Sequence, residues 1–226
     1  MTTFLLLPGA GGEALYWAAV TDLLHRAGHE AIAVDLPSDD PDLGLSAYAD
    51  LAVAAVQGRT DVVLAAHSMG GFTAPLVAAR VPLRALVFVN AMIPLPGESA
   101  SDWGEAVGSE PARVAAAEAG GYAADLDLVE TFLHDVPADV LDPAVAADGR
   151  DEAEIAFTEP AAFDGWPDIP ITALVGHDDR LFPADFQVRV ARERLGVTAA
   201  VIPGGHLLVL ANPRGVADHL LAVANG

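Results

Sequence analysis

One serine in this chain stands where its neighbours would make it a nucleophile. The segment Val63-Leu64-Ala65-Ala66-His67-Ser68-Met69-Gly70-Gly71-Phe72 passes from an apolar run into a helical pattern through small residues on either side of Ser68. A serine at so sharp a strand-to-helix turn holds a strained backbone that leaves room only for small residues two places before and after it. Ala66 and Gly70 fill those places, Ala66 where glycine is usual. A serine that only caps a helix needs none of this spacing.

A hydroxyl is a weak nucleophile until a base takes its proton and a carboxylate orients that base. In strand-turn-helix sites of this kind the partners follow in the order serine, acid, histidine. Leu174-Val175-Gly176-His177-Asp178-Asp179-Arg180-Leu181-Phe182-Pro183 supplies the acid directly after an apolar run. Asp178 and Asp179 compete for the role; the turn aims Asp179, and two merely turn-forming aspartates are the plain alternative. Val201-Ile202-Pro203-Gly204-Gly205-His206-Leu207 supplies the base, since glycines let the backbone swing His206 toward Ser68. A tetrahedral intermediate also needs donors for its oxyanion. Backbone N–H groups of Met69 and of Ala10, in Leu7-Pro8-Gly9-Ala10-Gly11-Gly12, are the candidates. As a phosphate cradle that glycine loop lacks the Walker lysine, and Asp35 does not complete a dinucleotide pattern.

The elements that must carry these residues are six short apolar runs: Phe4 to Leu7, Ala31 to Val34, Val62 to Ala66, Ala85 to Val89, Ile171 to Val175 and Ala199 to Ile202. Continuous apolarity of this length suits strands covered on both faces. Helical patterns alternate with them, as in Leu15 to Arg26, where Leu15, Ala19, Leu23 and Arg26 recur at helical spacing before Gly28. The expectation is an α/β fold, a doubly wound and mostly parallel sheet with ligand sites at the carboxyl ends of its strands.

After Asn90 about seventy-five residues pass before the next strand, far beyond an ordinary crossover. The chain is expected to be one domain, with its core in 1–91 and 167–226 and a helical insertion, 92–166, lying over the site as a lid. Within it Glu110 to Glu118, Asp127 to His134 and Ala138 to Ala146 look helical, divided by Gly120-Gly121, Pro137 and Pro143.

Composition narrows the chemistry. At 226 residues, 53% of them apolar, the chain can bury an ample core. Having no cysteine, it has no thiolate nucleophile, disulfide or thiolate metal site. Having no lysine, it has no Schiff base or Ser-Lys dyad. A net charge of −21 repels polyanions, so nucleic acid is not an expected partner; the plain meaning of that charge is a solvated acidic surface. Met1 to Pro8 has no basic region before its apolar run and reads as a buried strand, not a signal peptide. No apolar stretch approaches the roughly 20 residues of a membrane span, so no membrane partner is expected, and a cytoplasmic location is.

Of the other histidines, His25, His29 and His219 read as surface or capping residues, His67 as one that packs or fixes the turn, and His177 as part of the acid turn. His134 lies in the insertion, as a solvated residue or as a substrate contact. Nothing in their spacing suggests zinc, and no metal is expected.

These residues resemble the α/β-hydrolase superfamily, and more narrowly the plant methyl esterase and hydroxynitrile lyase group with its bacterial relatives. The resemblance covers Leu7-Pro8-Gly9-Ala10 with Trp17, Leu23 to Leu36, the serine turn, Asp179 to Gln187, and Gly196-Val197 through His206 to Pro213. It implies acyl-enzyme chemistry on Ser68, His206 and Asp179, a small helical lid and no cofactor. Pro8 stands where a histidine usually precedes the oxyanion glycine. The lyase branch resembles this chain less, since Leu207 and Gly9 occupy the places of its lysine and threonine.

The expected reaction is hydrolysis of a small, largely apolar carboxylic ester, a small-molecule substrate, with Phe72, Met92, Trp103, Phe132, Leu133, His134 and Leu207 as candidate pocket walls. The same triad on a thioester or on a carbon–carbon bond beside a ketone is the second reading. A ligand receptor that retains the triad without catalysis is the third.

Overall fold

In the computed structural model, which describes residues 1–142, 146 and 148–226, the six apolar runs become six strands at nearly the expected bounds. They are β1 (Thr3–Leu7), β2 (Glu30–Ala33), β3 (Val62–His67), β4 (Leu83–Val89), β5 (Ile171–Gly176) and β6 (Ala200–Ile202). Between and after them run α1 (Ala18–Arg26), α2 (Leu45–Ala55), α3 (Gly70–Ala78), α4 (Ala100–Val107), α5 (Ser109–Gly120), α6 (Glu154–Thr158), α7 (Ala184–Leu195), α8 (Leu208–Ala211) and α9 (Pro213–Asn225). The strands form one sheet in the order β2-β1-β3-β4-β5-β6, and every neighbouring pair is parallel.

The unbroken apolar runs follow from burial on both faces. Alternate strand residues Leu5, Leu7, Leu64, Ala66, Leu86 and Phe88 join the core with α2, α3 and α7. Their neighbours Phe4, Leu6, Val63, Ala65, Val87 and Val89 join the opposite core with α1 and α9. Side chains alternate across a strand, so each face takes every second residue.

The first helix departs from the expected pattern. Ala14–Trp17 is a 3-10 turn, and α1 begins only at Ala18. A 3-10 turn has three residues per turn, so a phase counted from Leu15 is lost on entering the α-helix. The buried residues are Trp17, Val20 and Leu24, while Leu15 is 59% exposed.

The segment between β4 and β5 holds α4, unforeseen in the sequence, whose Ser99 cap accepts the Asp102 N–H at 3.2 Å. It also holds α5, where a helix was expected, and a π-helical turn, Leu128–Leu133, capped by the Asp127 carboxylate. Of the helix expected over 138–146, Ala138 to Val140 form a turn, and 143–145 lie outside the described residues. The segment is tied down at its start by an ion pair between Arg194 and Glu98, whose side chains are 9% and 10% exposed. Among the described residues no helix is long and apolar enough to cross a membrane.

Candidate active site

Ser68 follows the last residue of β3 with φ of +50°, a conformation rare for a residue with a side chain. The strain is held by hydrogen bonds: its N–H donates to Val89 O (3.3 Å), and its carbonyl accepts from Gly71 (3.1 Å) and Met92 (3.0 Å). Small residues are required because backbones meet here. A Cβ on Gly70 would collide with the Pro8 carbonyl oxygen, and one on Gly9 would come within 2.8 Å of Ser68 Cβ. The loop after β1 is thereby seated against the serine turn.

His206 Nε2 lies 3.0 Å from Ser68 Oγ, and His206 Nδ1 lies 2.9 Å from Asp179 Oδ2. A carboxylate only accepts, so the proton sits on Nδ1 and the Nε2 lone pair faces the serine hydroxyl. Asp179 is 3% exposed; its Oδ1 accepts the N–H groups of Leu181 (2.9 Å) and Phe182 (2.8 Å), and Oδ2 also accepts from Gln187 Nε2 (2.9 Å). Asp178 is turned elsewhere, accepting from His177 Nδ1 (2.8 Å) and the Gly204 N–H (3.1 Å). The His177 ring is the main cause holding its carboxyl below the usual range.

The histidine loop is fastened from three sides. Asn90, at the end of β4 with φ of +44°, donates to the carbonyls of Gly205 (2.7 Å) and His206 (2.9 Å) and accepts the Gly176 N–H (2.6 Å). His67 donates from Nε2 to the same His206 carbonyl at 2.9 Å. Burial first, and the neighbouring His206 second, push the His67 imidazole down to about 3. Asp135, from the segment between β4 and β5, accepts the Gly205 N–H. These positioning residues were not singled out in the sequence, apart from His67 as a residue fixing the turn. The one available signal was a polar Asn90 closing an apolar run.

A cavity of about 360 Å³ opens over Ser68 and His206. The loop after β1 supplies Gly9, Ala10 and Gly11; the segment between β4 and β5 supplies Leu128, Phe132 and Arg150 to Glu152; Glu13, Tyr16 and Leu207 complete much of the wall. Among the described residues neither the Ala10 nor the Met69 N–H has an acceptor within the protein. Burial pushes the Glu152 carboxyl up, against the opposing bonds from Tyr48 and Gly11.

Of the candidate walls, Phe132 and Leu207 line this cavity, and Phe132 packs edge-on against the His206 ring. Phe72, Met92, Trp103 and Leu133 are packed in the two cores instead, Trp103 against Phe182 and Phe186. An apolar residue type does not by itself tell wall from core, and here core packing claims them. His134 lines a separate surface cleft, where Nε2 donates to the Asp178 carbonyl at 3.1 Å. Tyr16, Glu13, Leu128 and Arg150 to Glu152 were unforeseen. His219, expected at the surface, is half-buried beside Thr172. Among the described residues no group of side chains is arranged to hold a metal ion.

A curated protein, the alpha/beta hydrolase nvfD of Aspergillus novofumigatus (strain IBT 16806), is 26% identical over 230 residues, covering 92% of this chain and 91% of its own. The crystal structure of polyneuridine aldehyde esterase superposes with a TM-score of 0.79 at 20% identity, covering 99% of each chain. A pyrethroid hydrolase from Sphingobium faniae JZ-2 superposes with a TM-score of 0.78 at 19% identity, covering 100% of this chain and 98% of the other. The family model described as "Alpha/beta hydrolase family" matches residues 4–219, nearly the whole length, and the chain belongs to that family.

Proposed function

We propose that this protein is a serine hydrolase that cleaves a small, largely apolar carboxylic ester through an acyl-enzyme on Ser68. The observation that carries the reading is the hydrogen-bonded line from Ser68 Oγ through both nitrogens of His206 to Asp179. His206 takes the Ser68 proton as Oγ attacks the ester carbonyl, and Asp179 holds the imidazolium that forms. The new oxyanion meets the N–H groups of Ala10 and Met69, beside the N-terminus of α3, whose dipole favours negative charge. The alcohol leaves with the proton from Nε2. Water then attacks the acyl-enzyme by the same proton route, releasing the acid and restoring Ser68.

Among the solved structures of this fold, polyneuridine aldehyde esterase is an ester-cleaving enzyme by name, which supports an ester over other acyl substrates. Leu128, Phe132, Ala146 and Leu207 give the cavity an apolar lining suited to such an ester. Turnover of short-chain nitrophenyl esters by wild type and by Ser68→Ala tests the reading. We expect turnover by the wild type, labelling of Ser68 by a fluorophosphonate, and a loss of at least about 10⁴-fold in the variant. A wild type that neither labels nor turns over any member, or a variant that retains activity, would refute it.

A further inference from the structure

We propose that Glu152, in the segment between β4 and β5, is a positioning residue that sets the oxyanion loop, and that catalysis therefore depends on a side chain outside the triad and its loops. This rests on the serine hydrolase reading above. The Ala10 N–H lies in the Gly9–Ala10 peptide plane, which is hinged at the Ala10 Cα to the Ala10–Gly11 plane, so holding both planes sets its direction. The far end of the first plane, Gly9 O, accepts the Gly12 N–H at 3.1 Å. The second plane is held by Glu152, whose Oε2 accepts the Gly11 N–H at 2.9 Å. Gly11 and Gly12 both have positive φ, +87° and +67°, a region in which glycine has little steric preference to hold a single conformation. The external bond to Gly11 therefore decides the orientation that the loop's own torsions leave open.

Glu152 is itself braced. Its Oε1 accepts the hydroxyl of Tyr48 at 2.7 Å, and Tyr48 is a buried member of α2. On one side Ala153 N–H donates to Ser38 O (2.7 Å). On the other Arg150 donates to Leu36 O (2.7 Å) and to Asp35 (2.7 Å), which also accepts the Ala14 N–H (3.0 Å). The carboxylate thus links α2 to the loop after β1, while the residues on either side of it fasten its segment to the loop after β2. The lid segment, on this account, is part of the catalytic frame and not only a cover.

Glu152→Ala, Glu152→Gln and Tyr48→Phe test this by kcat and KM on a neutral nitrophenyl ester, with amide exchange at residues 9–12 followed by NMR. The alanine variant is expected to lose about 10- to 100-fold in kcat, below the 10²–10³ of an entire lost oxyanion donor, with little change in KM and faster exchange at Gly11. The glutamine variant should recover most of both, because its carbonyl can accept from Gly11 while its NH₂ donates to the Tyr48 oxygen. Tyr48→Phe should fall between, and it carries the test with Glu152→Gln if the alanine variant does not fold. Wild-type kcat in Glu152→Ala, or a rise in KM alone, would overturn the proposal, the latter marking a substrate contact. Unchanged Gly11 exchange would overturn it also. Inertness of the wild type toward every ester, with Gly11 exchange still responding to Glu152, would sink the hydrolase reading while leaving the loop-setting role in place.

Discussion

His67 sits one residue before Ser68 and one ring away from His206, with ring centroids 5.2 Å apart. In the proposed mechanism only one of the two rings is placed to act as base, and the hydrogen bonds distinguish them. His67 spends its Nε2 proton on the His206 carbonyl, whereas His206 presents Nε2 to Ser68 Oγ. Keeping His67 neutral has a consequence for stability. Its folded value is pushed from 6.5 down to about 3, so the unfolded chain binds the proton more readily throughout that window. The stabilising contribution is complete above 6.5 and is lost as pH falls toward 3, at about 1.4 kcal/mol per pH unit for one proton. In His67→Asn, which keeps a donor for the His206 carbonyl, that component disappears. Urea unfolding from about pH 7 to pH 4 should show the wild type losing stability more steeply than the variant by about one proton's slope. Parallel curves would mean that the ring is not buried in its neutral form.

At the scale of elements, the site is made where three strand ends and one neighbouring loop meet, and backbone contacts set the tolerances. Gly70 opens α3 against the Pro8 carbonyl, leaving no room for a methyl group. Gly70→Ala must therefore move the loop after β1 away from the serine turn. The expected cost is about 1–3 kcal/mol of stability, as for overpacking elsewhere, with kcat reduced because Ala10 moves with the loop. A variant with wild-type melting and wild-type kcat would show that this contact is not limiting. The sequence made the strands legible because burial on both faces writes apolarity continuously, and it made Ser68, Asp179 and His206 legible because each follows such a run. It did not reveal the face of α1, since the 3-10 turn at Ala14–Trp17 breaks the helical phase. Nor did it reveal Asn90, Asp135 or Glu152 as supports. Each bonds a backbone N–H or carbonyl 70 or more residues away, and no local pattern encodes a partner at that distance.

Over the whole molecule, charge bears on which esters the cavity would accept under the proposed ester hydrolysis. The chain carries −21, and the cavity itself is lined by Glu13, Asp151 and Glu152 against the single cation Arg150 among the described lining residues. That guanidinium is already held by Asp35 and the Leu36 carbonyl, so it offers an incoming carboxylate little. Two unit charges about 10 Å apart at an effective dielectric of about 20 interact by about 1.7 kcal/mol, somewhat more than a tenfold effect. An ester bearing a remote carboxylate should accordingly show a kcat/KM about tenfold below that of its neutral isostere at low salt. The ammonium isostere should be the best of the three. Both differences should shrink as salt approaches 1 M, where the screening length falls to about 3 Å. A salt-independent order would place the discrimination in direct contacts and not in the field, and a preference for the carboxylate would require Arg150 to leave Asp35 when substrate binds.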